Sequence, residues 1–462
     1  MAEEFTNSGK IRILMFPWLA HGHISPFLEL ANKLISRRPN FHVYLCSSPI
    51  NLESTTKLIK HPSRIELIEL HLPSLPDLPP HSHTTKGLPA HLIPTLFKAM
   101  DMASGEFFQI LTKLSPDLLI CDFLQPWAPK LALSLLKIPT VCFMTSPAIV
   151  YDLAFTSMNA SPQFNGAFPL RSNYVIDYVE AESTPSLANR VVWSMERSST
   201  MVLIKSFRDI EARYIDRVSK FIGKSMVTVA PLVPDDDDDD EGDQETDNNV
   251  INWLNNKDKS SVVYISFGSE CYLSTSQIQE LAHALLILLV EKAYPINFIW
   301  VLRFPIGEEL GISKALPEGF MEAVGLENKV YMAEGWAPQR RILRHGNVGG
   351  FVSHCGWSSV MEAMKYGVPI VGVPLRTDQP MNARLVEEIG VGLKVEKIER
   401  GELAKVIEEV VVGERKVEFR DKAKEIKNCL VEKGDRDIDE AIERLVHLCS
   451  EFSEPLIGEE QR

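Results

Sequence analysis

Short apolar runs alternate with segments of helical periodicity along the chain, and the series begins twice. In the first half, IRILMFPWL (11–19), FHVYLCSS (41–48), DLLIC (117–121) and TVCFM (140–144) are runs of strand length. Between them stand PFLELANKLISRR, which stops at Pro39 and Asn40, and WAPKLALSLLK, both with helical spacing of apolar residues. Strands separated by helices predict a parallel sheet covered on both faces. The second series is VVYISFGS (262–269), NFIWVLR (297–303), KVYMA (329–333), GGFVS (349–353) and VPIVGVP (368–374). Helices are predicted from Ser274, over Trp357 to Tyr366, over 380–389, and from 401 to 449.

The stretch 231–249, PLVPDDDDDDEGDQETDNN, separates the two series; it is acidic, has no aromatic residue and reads as a solvated linker. A length of 462 residues, about three times the ~150-residue expectation for one domain, agrees with two α/β domains. Ligand is expected in a cleft between them.

Of a net charge of −14, ten acidic groups lie between Asp235 and Asp247, and the remainder is close to neutral. No basic face for nucleic acid or for an anionic membrane is expected. The opening MAEEFTNSGK lacks a signal-peptide pattern, and the most apolar stretch, Leu281 to Val290, is too short to span a bilayer. Seven scattered cysteines contain no C-x-x-C pair, so neither a disulfide scaffold nor a structural zinc site is expected. A soluble cytoplasmic protein follows as the expectation. No G-x-G-x-x-G follows a predicted strand, which speaks against a nicotinamide or flavin enzyme. The D-x-D pattern within Asp235 to Asp240 reads as a charge run and not as a metal motif.

Candidate chemistry gathers where strands end. LAHGHIS (19–25) follows the first strand, with Ser25 and Pro26 read as the N-cap and first residue of the next helix. His23 at that junction is suited to accept a proton near neutrality, although a loop histidine without a role and a His21–His23 metal pair remain open. Asp122 follows DLLIC, where a carboxylate would hold an imidazole in its basic tautomer or else serve as a helix N-cap or a loop acid. SHCGWSS (353–359) runs from strand through a glycine turn into a helix, an arrangement that offers backbone N–H groups to a phosphate. His354, Ser358 and Ser359 would add donors, and Glu362, one turn on, would grip a ribose diol; equally, the serines cap the helix and Glu362 faces solvent. Asp378 and Gln379 stand between a strand and a helix, as sugar-binding groups or as another cap.

Residues 336–379, WAPQRRILRHGNVGGFVSHCGWSSVMEAMKYGVPIVGVPLRTDQ, resemble the donor-binding box of plant family 1 UDP-dependent glycosyltransferases in length, opening W-A-P-Q, central H-C-G-W and closing D-Q. FPWLAHGHISP, PDLLICD and VVYISFGS extend the resemblance over nearly the whole chain. It implies the GT-B form of the α/β class, two Rossmann-like domains facing across a cleft. The expected division is residues 1–234 for an acceptor-binding domain and 235–249 for the acidic linker. Residues 250–445 would form a UDP-sugar-binding domain, and 446–462 a segment crossing back to the first.

The resemblance further implies that Trp336 stacks on uracil, the Ala337 backbone pairs with its edge, and Gln339 and Glu362 hold the ribose. His354, Ser358, Ser359 and Ser269 would face the diphosphate. Trp357, Asp378 and Gln379 would contact the transferred sugar, with Thr145 adding a bond from the first domain. His23 would be the general base and Asp122 its partner in an inverting displacement from UDP-glucose, without metal or further cofactor. LMFPWLAHGHISPFLELANKL, HLPSLPDLPPHSHTTKGLP and LQPWAP resemble the branch that adds a sugar to a sugar already on a natural product, through a 1→6 or 1→2 bond. The expected partner is therefore a small glycoside such as that of a flavonoid or terpenoid, and a monomer is expected.

Three positions depart from the family pattern. Ser358 replaces a more common Asn, and Pro26 stands where an Arg favours glucuronate in a relative, which with Gln379 points to glucose. LLILLVEKAYPI (285–296) is about six residues longer than the usual connection, either as a longer loop or as a peculiarity of this sequence. Transfer to an aglycone directly, and a UDP-sugar-binding protein without catalysis, are the alternatives. The latter has no need of a base beside a carboxylate.

Overall fold

A computed structural model describes residues 9–159, 186–234, 244–304, 311–325 and 328–453. The acidic run at 235–243, the core of the expected linker, and the end of the expected crossing segment from 454 lie outside the described residues. The helix Gln244–Asn255 takes up the rest of the linker stretch. The chain forms two units, residues 1–232 with 433–462, and residues 233–432.

The first unit is built on seven strands: β1 (Ile11–Phe16), β2 (Phe41–Ser47), β3 (Ile65–Glu69), β4 (Leu118–Asp122), β5 (Thr140–Met144), β6 (Met201–Ile204) and β7 (Ser225–Thr228). They lie in the order β3-β2-β1-β4-β5-β6-β7, with every pair parallel. Every residue of β4 and β5 is buried, as both faces of a helix-covered parallel sheet require. Ile13, Met15, Leu118, Ile120, Val141 and Phe143 meet Phe27, Leu30, Ala31 and Leu34 of the helix His21–Arg37 in one core. The same core takes in Ile438, Ala441, Ile442, Leu445 and Leu448 from the helix Lys416–Ser453, whose residues from Lys433 onward belong to the first unit. Full burial of each such Ile, Leu, Val, Phe or Met side chain is worth about 1.5–3 kcal/mol.

The second unit holds β8 (Val262–Ser266), β9 (Asn297–Leu302), β10 (Val330–Glu334), β11 (Val348–Ser353), β12 (Ile370–Gly372) and β13 (Gly392–Lys394) in the order β10-β9-β8-β11-β12-β13. This sheet too is wholly parallel. In each sheet the order turns back once, between β1 and β4 and between β8 and β11. Crevices that bind ligands open at such points, beyond the carboxyl ends of the strands.

Two local expectations are corrected. The first helix begins at His21 with Ala20 as N-cap, and not at Ser25, because Ala20 O accepts both His23 N and Ile24 N at 2.9 Å. Pro26 therefore lies inside the helix. The stretch 285–296 is not an enlarged loop. The helix Thr275–Leu286, started by a capping box of Ser274 and Gln277, continues into a wider π turn over Ile287–Glu291 that buries Leu288 and Leu289. Lys292 and Tyr294 then both bond Glu408, at the second contact by 2.5 Å, and Ile296 closes the packing. Among the described residues no helix is long and apolar enough to cross a membrane.

Candidate active site

Asp122 is the last residue of β4, and His23 stands in the first turn of the helix that follows β1. Adjacent parallel strands thus deliver both to the crevice of the first sheet. Asp122 Oδ2 lies 2.7 Å from His23 Nδ1, and Asp122 Oδ1 accepts the Leu124 N–H at 3.1 Å. A carboxylate can only accept, so Nδ1 carries the proton and Nε2 is the basic nitrogen. Asp122 is wholly buried while the His23 side chain is 18% exposed, the arrangement of a hidden orienting group behind a reachable base. Thr145 Oγ1 stands 3.2 Å from the same Nδ1, and the Phe123 ring packs against the imidazole with centroids 5.5 Å apart. The pair excludes the helix-cap reading of Asp122, whose oxygens go to a side chain and a loop amide.

The second crevice is made differently. His354 follows β11, and its ring lies between two glycine backbones. A Cβ on Gly268, which follows β8 at φ +76°, would come within 2.7 Å of His354 Cε1; one on Gly356 would come within 2.4 Å of Nε2. Burial, reinforced by the charge of Arg376, pushes the imidazole down to about 4, so it is a neutral N–H donor at physiological pH. Its Nδ1 is a buried atom without a hydrogen-bond partner in the protein. Gly356 is the N-cap of the helix Trp357–Tyr366, whose first-turn N–H groups have no intrahelical acceptor. A neutral donor beside a helix N-terminus is a cradle for an anion, and for a phosphate in particular.

On the same helix Ser359 and Glu362 meet a residue from a second helix. Gln339 Nε2 donates to Glu362 Oε2 at 2.7 Å and to Ser359 Oγ at 3.1 Å, and Tyr264 Oη reaches Gln339 Oε1 at 3.4 Å. Three predicted residues are thereby assembled, and Tyr264, which the sequence did not single out, completes the group.

The residues 236–420 match the model of the UDP-glucoronosyl and UDP-glucosyl transferases, and residues 9–234 that of the glycosyltransferase N-terminal domain. The chain belongs to this family. It is 44% identical over 453 residues to a mogroside IIIx synthase of Siraitia grosvenorii, covering 93% of this chain and 91% of the relative. It is 39% identical over 457 residues to the beta-D-glucosyl crocetin beta-1,6-glucosyltransferase of Gardenia jasminoides, covering 95% and 99%. Among solved structures, a Glycyrrhiza uralensis glycosyltransferase complexed with glycyrrhetinic acid 3-O-monoglucuronide superposes with a TM-score of 0.79 at 23% identity, over 96% of each chain. That likeness shows the GT-B fold.

The remaining predicted positions of this UDP-glycosyltransferase fall as follows. Trp336 is 36% exposed, beyond Gly335 at φ +85°, an uncommon degree of exposure for so large an apolar ring. Ala337 O accepts Gln339 N at 2.8 Å, so that part of its backbone is already engaged. Ser269 is exposed, Ser358 half-buried and Trp357 buried. Asp378 sits at the N-cap of the helix Gln379–Glu388 without capping it; its oxygens bond Asn382 Nδ2 and Thr377 Oγ1, both at 3.1 Å. Gln379 is buried, its Oε1 accepting from Leu375 N and Arg376 N at 2.9 Å while Nε2 points at Cys271 Sγ, 3.3 Å away. Thr145 stands against His23. Sequence spacing carried no signal for Leu124, Phe123 or Thr145 as neighbours of the base, because each is brought there by the sheet.

Proposed function

We propose that this glycosyltransferase moves glucose from UDP-glucose to a sugar hydroxyl of a small natural-product glycoside, with inversion. The observation that carries the catalytic part is the 2.7 Å contact between His23 and Asp122 at the end of the first sheet's central strands. His23 Nε2 takes the proton of the acceptor hydroxyl as its oxygen attacks the anomeric carbon; the bond from that carbon to UDP breaks, and UDP departs with the electron pair. Asp122 stabilises the imidazolium that forms. His354 and the N-terminus of the helix Trp357–Tyr366 would receive the charge growing on the diphosphate, with Ser269, Ser358 and Ser359 as further donors. Gln339 and Glu362 would hold the ribose and Trp336 the uracil.

Glucose as donor is favoured by Pro26 and Gln379; because the Gln379 oxygen is already taken by two backbone N–H groups, its NH2 edge is what it would offer a sugar. A glycosylated acceptor is favoured by the relative whose name specifies glucosyl crocetin as its substrate. The test is a competition in which UDP-glucose and equal amounts of a flavonoid or terpenoid aglycone and its monoglucoside are incubated with the protein and weighed by mass spectrometry. Gain of one hexose on the monoglucoside alone is expected. Gain on the aglycone alone would overturn the acceptor assignment and leave the chemistry standing.

A further inference from the structure

One face of the helix Leu187–Arg197 grips the chain immediately after Asp122. Arg190, Ser194 and Arg197 are spaced four and three residues apart, on one side of that helix. Ser194 Oγ donates to Phe123 O at 2.9 Å, Arg190 Nη1 to Leu124 O at 2.8 Å and Arg197 Nη1 to Pro126 O at 2.7 Å. Ser194 and Arg190 are buried at 0% and 2% exposure. The Arg190 charge is met by Asp101, with Nη1 to Oδ1 at 3.0 Å and Nη2 to Oδ2 at 2.5 Å, and Trp127 Nε1 donates to the same Asp101 Oδ1 at 2.9 Å. A buried guanidinium so matched keeps its remaining donors for the carbonyl it faces.

The peptide unit that Ser194 holds is decisive. Its carbonyl belongs to Phe123 and its N–H to Leu124, and that N–H is the donor to Asp122 Oδ1. The other oxygen of Asp122 orients His23, and the Phe123 ring packs on the imidazole. A hydroxyl donating to one end of a peptide polarises it and strengthens donation from the other. We propose that Ser194 and Arg190 are positioning residues for the proton-accepting pair: they fix the peptide after Asp122, which fixes the carboxylate, which fixes the ring. Proton transfer needs the base held within about 0.5 Å of its working place, and a carboxylate at a strand end has two torsions that would otherwise spoil this. The proposal rests on the reading of His23 as base and Asp122 as its partner.

The experiment is a double-mutant cycle between Ser194→Ala and Asp122→Asn, assayed with UDP-glucose and whichever monoglucoside of the competition panel turns over fastest. Ser194→Ala is expected to lower kcat about five- to tenfold, the effect of one buried hydrogen bond felt in the transition state, with KM for UDP-glucose unchanged. In the Asp122→Asn background it is expected to have no further effect, because the two act through one carboxylate. Arg190→Lys, which keeps the charge beside Asp101 and shortens the reach to Leu124 O, serves as the second variant and is expected to behave likewise. Equal losses in both backgrounds, or a lower melting temperature with kcat intact, would make the contacts simple docking bonds and overturn the proposal. Undiminished transfer by Asp122→Asn alone would instead remove the reading on which it rests, and that result is visible before Ser194 is touched.

Discussion

Each of the two sheets of this glycosyltransferase opens a crevice where its strand order turns back, and the two are equipped in mirrored ways. In the first, the strand that begins the fold leads to a histidine, His23, and its neighbour across the turning point ends in an acid, Asp122. In the second, the equivalent leading strand leads to bare backbone at Gly268, and the neighbour delivers the histidine, His354. One imidazole faces a carboxylate and so is prepared to gain a charge. The other is sealed between glycines with a guanidinium nearby, and is held down to about 4 so that it stays neutral. Topology selects the place; the partner of the ring selects the role proposed for it, moving a proton at His23 and offering one at His354.

The contrast can be broken most severely at the first crevice. His23→Ala is expected to lower transfer by about 10²–10⁴-fold, the usual contribution of a general base, while calorimetric binding of UDP is unaltered. Equal loss of UDP binding would mean that the two crevices do not divide the work as described.

The next effect is on stability. His354 titrates near its ordinary value when unfolded but only near about 4 when folded, so the unfolded chain takes up this proton first as pH falls. Its contribution is intact above about pH 6.5 and is lost progressively toward pH 4, by about 3 kcal/mol in all. Urea titrations of His354→Gln should therefore show a shallower decline over that window than the parent. Burial moves His42, His61, His83 and His345 in the same direction, so a residual slope will remain.

Gly268→Ala sharpens the second crevice further. The new methyl must displace the His354 ring and also adopt a positive φ, a strain of about 1–3 kcal/mol, so UDP affinity should fall about tenfold or more with the acceptor's KM untouched. Trp336→Ala is expected to have the smallest consequence, a rise in KM for the nucleotide sugar matching the about 1–3 kcal/mol that base stacking provides. No change in KM would detach Trp336 from uracil.

The sequence revealed β1, β2, β4, β5, β8, β9, β10, β11 and β12 because each lies in a predominantly apolar run of strand length. It hid β3, whose IELIE alternates because it lies at a sheet edge, and the short strands β6, β7 and β13, of four, four and three residues. Ser25 and Pro26 carried a sound local signal for a helix start, and it was overruled by two backbone bonds to Ala20 that place His23 on the helix. His23 and Asp122 were legible because each stands just beyond a recognisable apolar run. Ser194 was not, since its importance lies in a carbonyl that sits 71 positions away in the chain.

The helix Lys416–Ser453 has a consequence for how the molecule is made. The first unit is interrupted, and Ile438, Ala441, Ile442, Leu445 and Leu448 reach its core only after all of residues 233–432 have been translated. At about 5–20 residues per second, the ribosome spends roughly 10–40 s on that intervening stretch. Throughout that interval the sheet bearing His23 and Asp122 has an apolar face with its final cover still unborn. Nascent chains stalled within the second unit should accordingly be more sensitive to protease, and more often chaperone-bound, than chains released with the final helix complete.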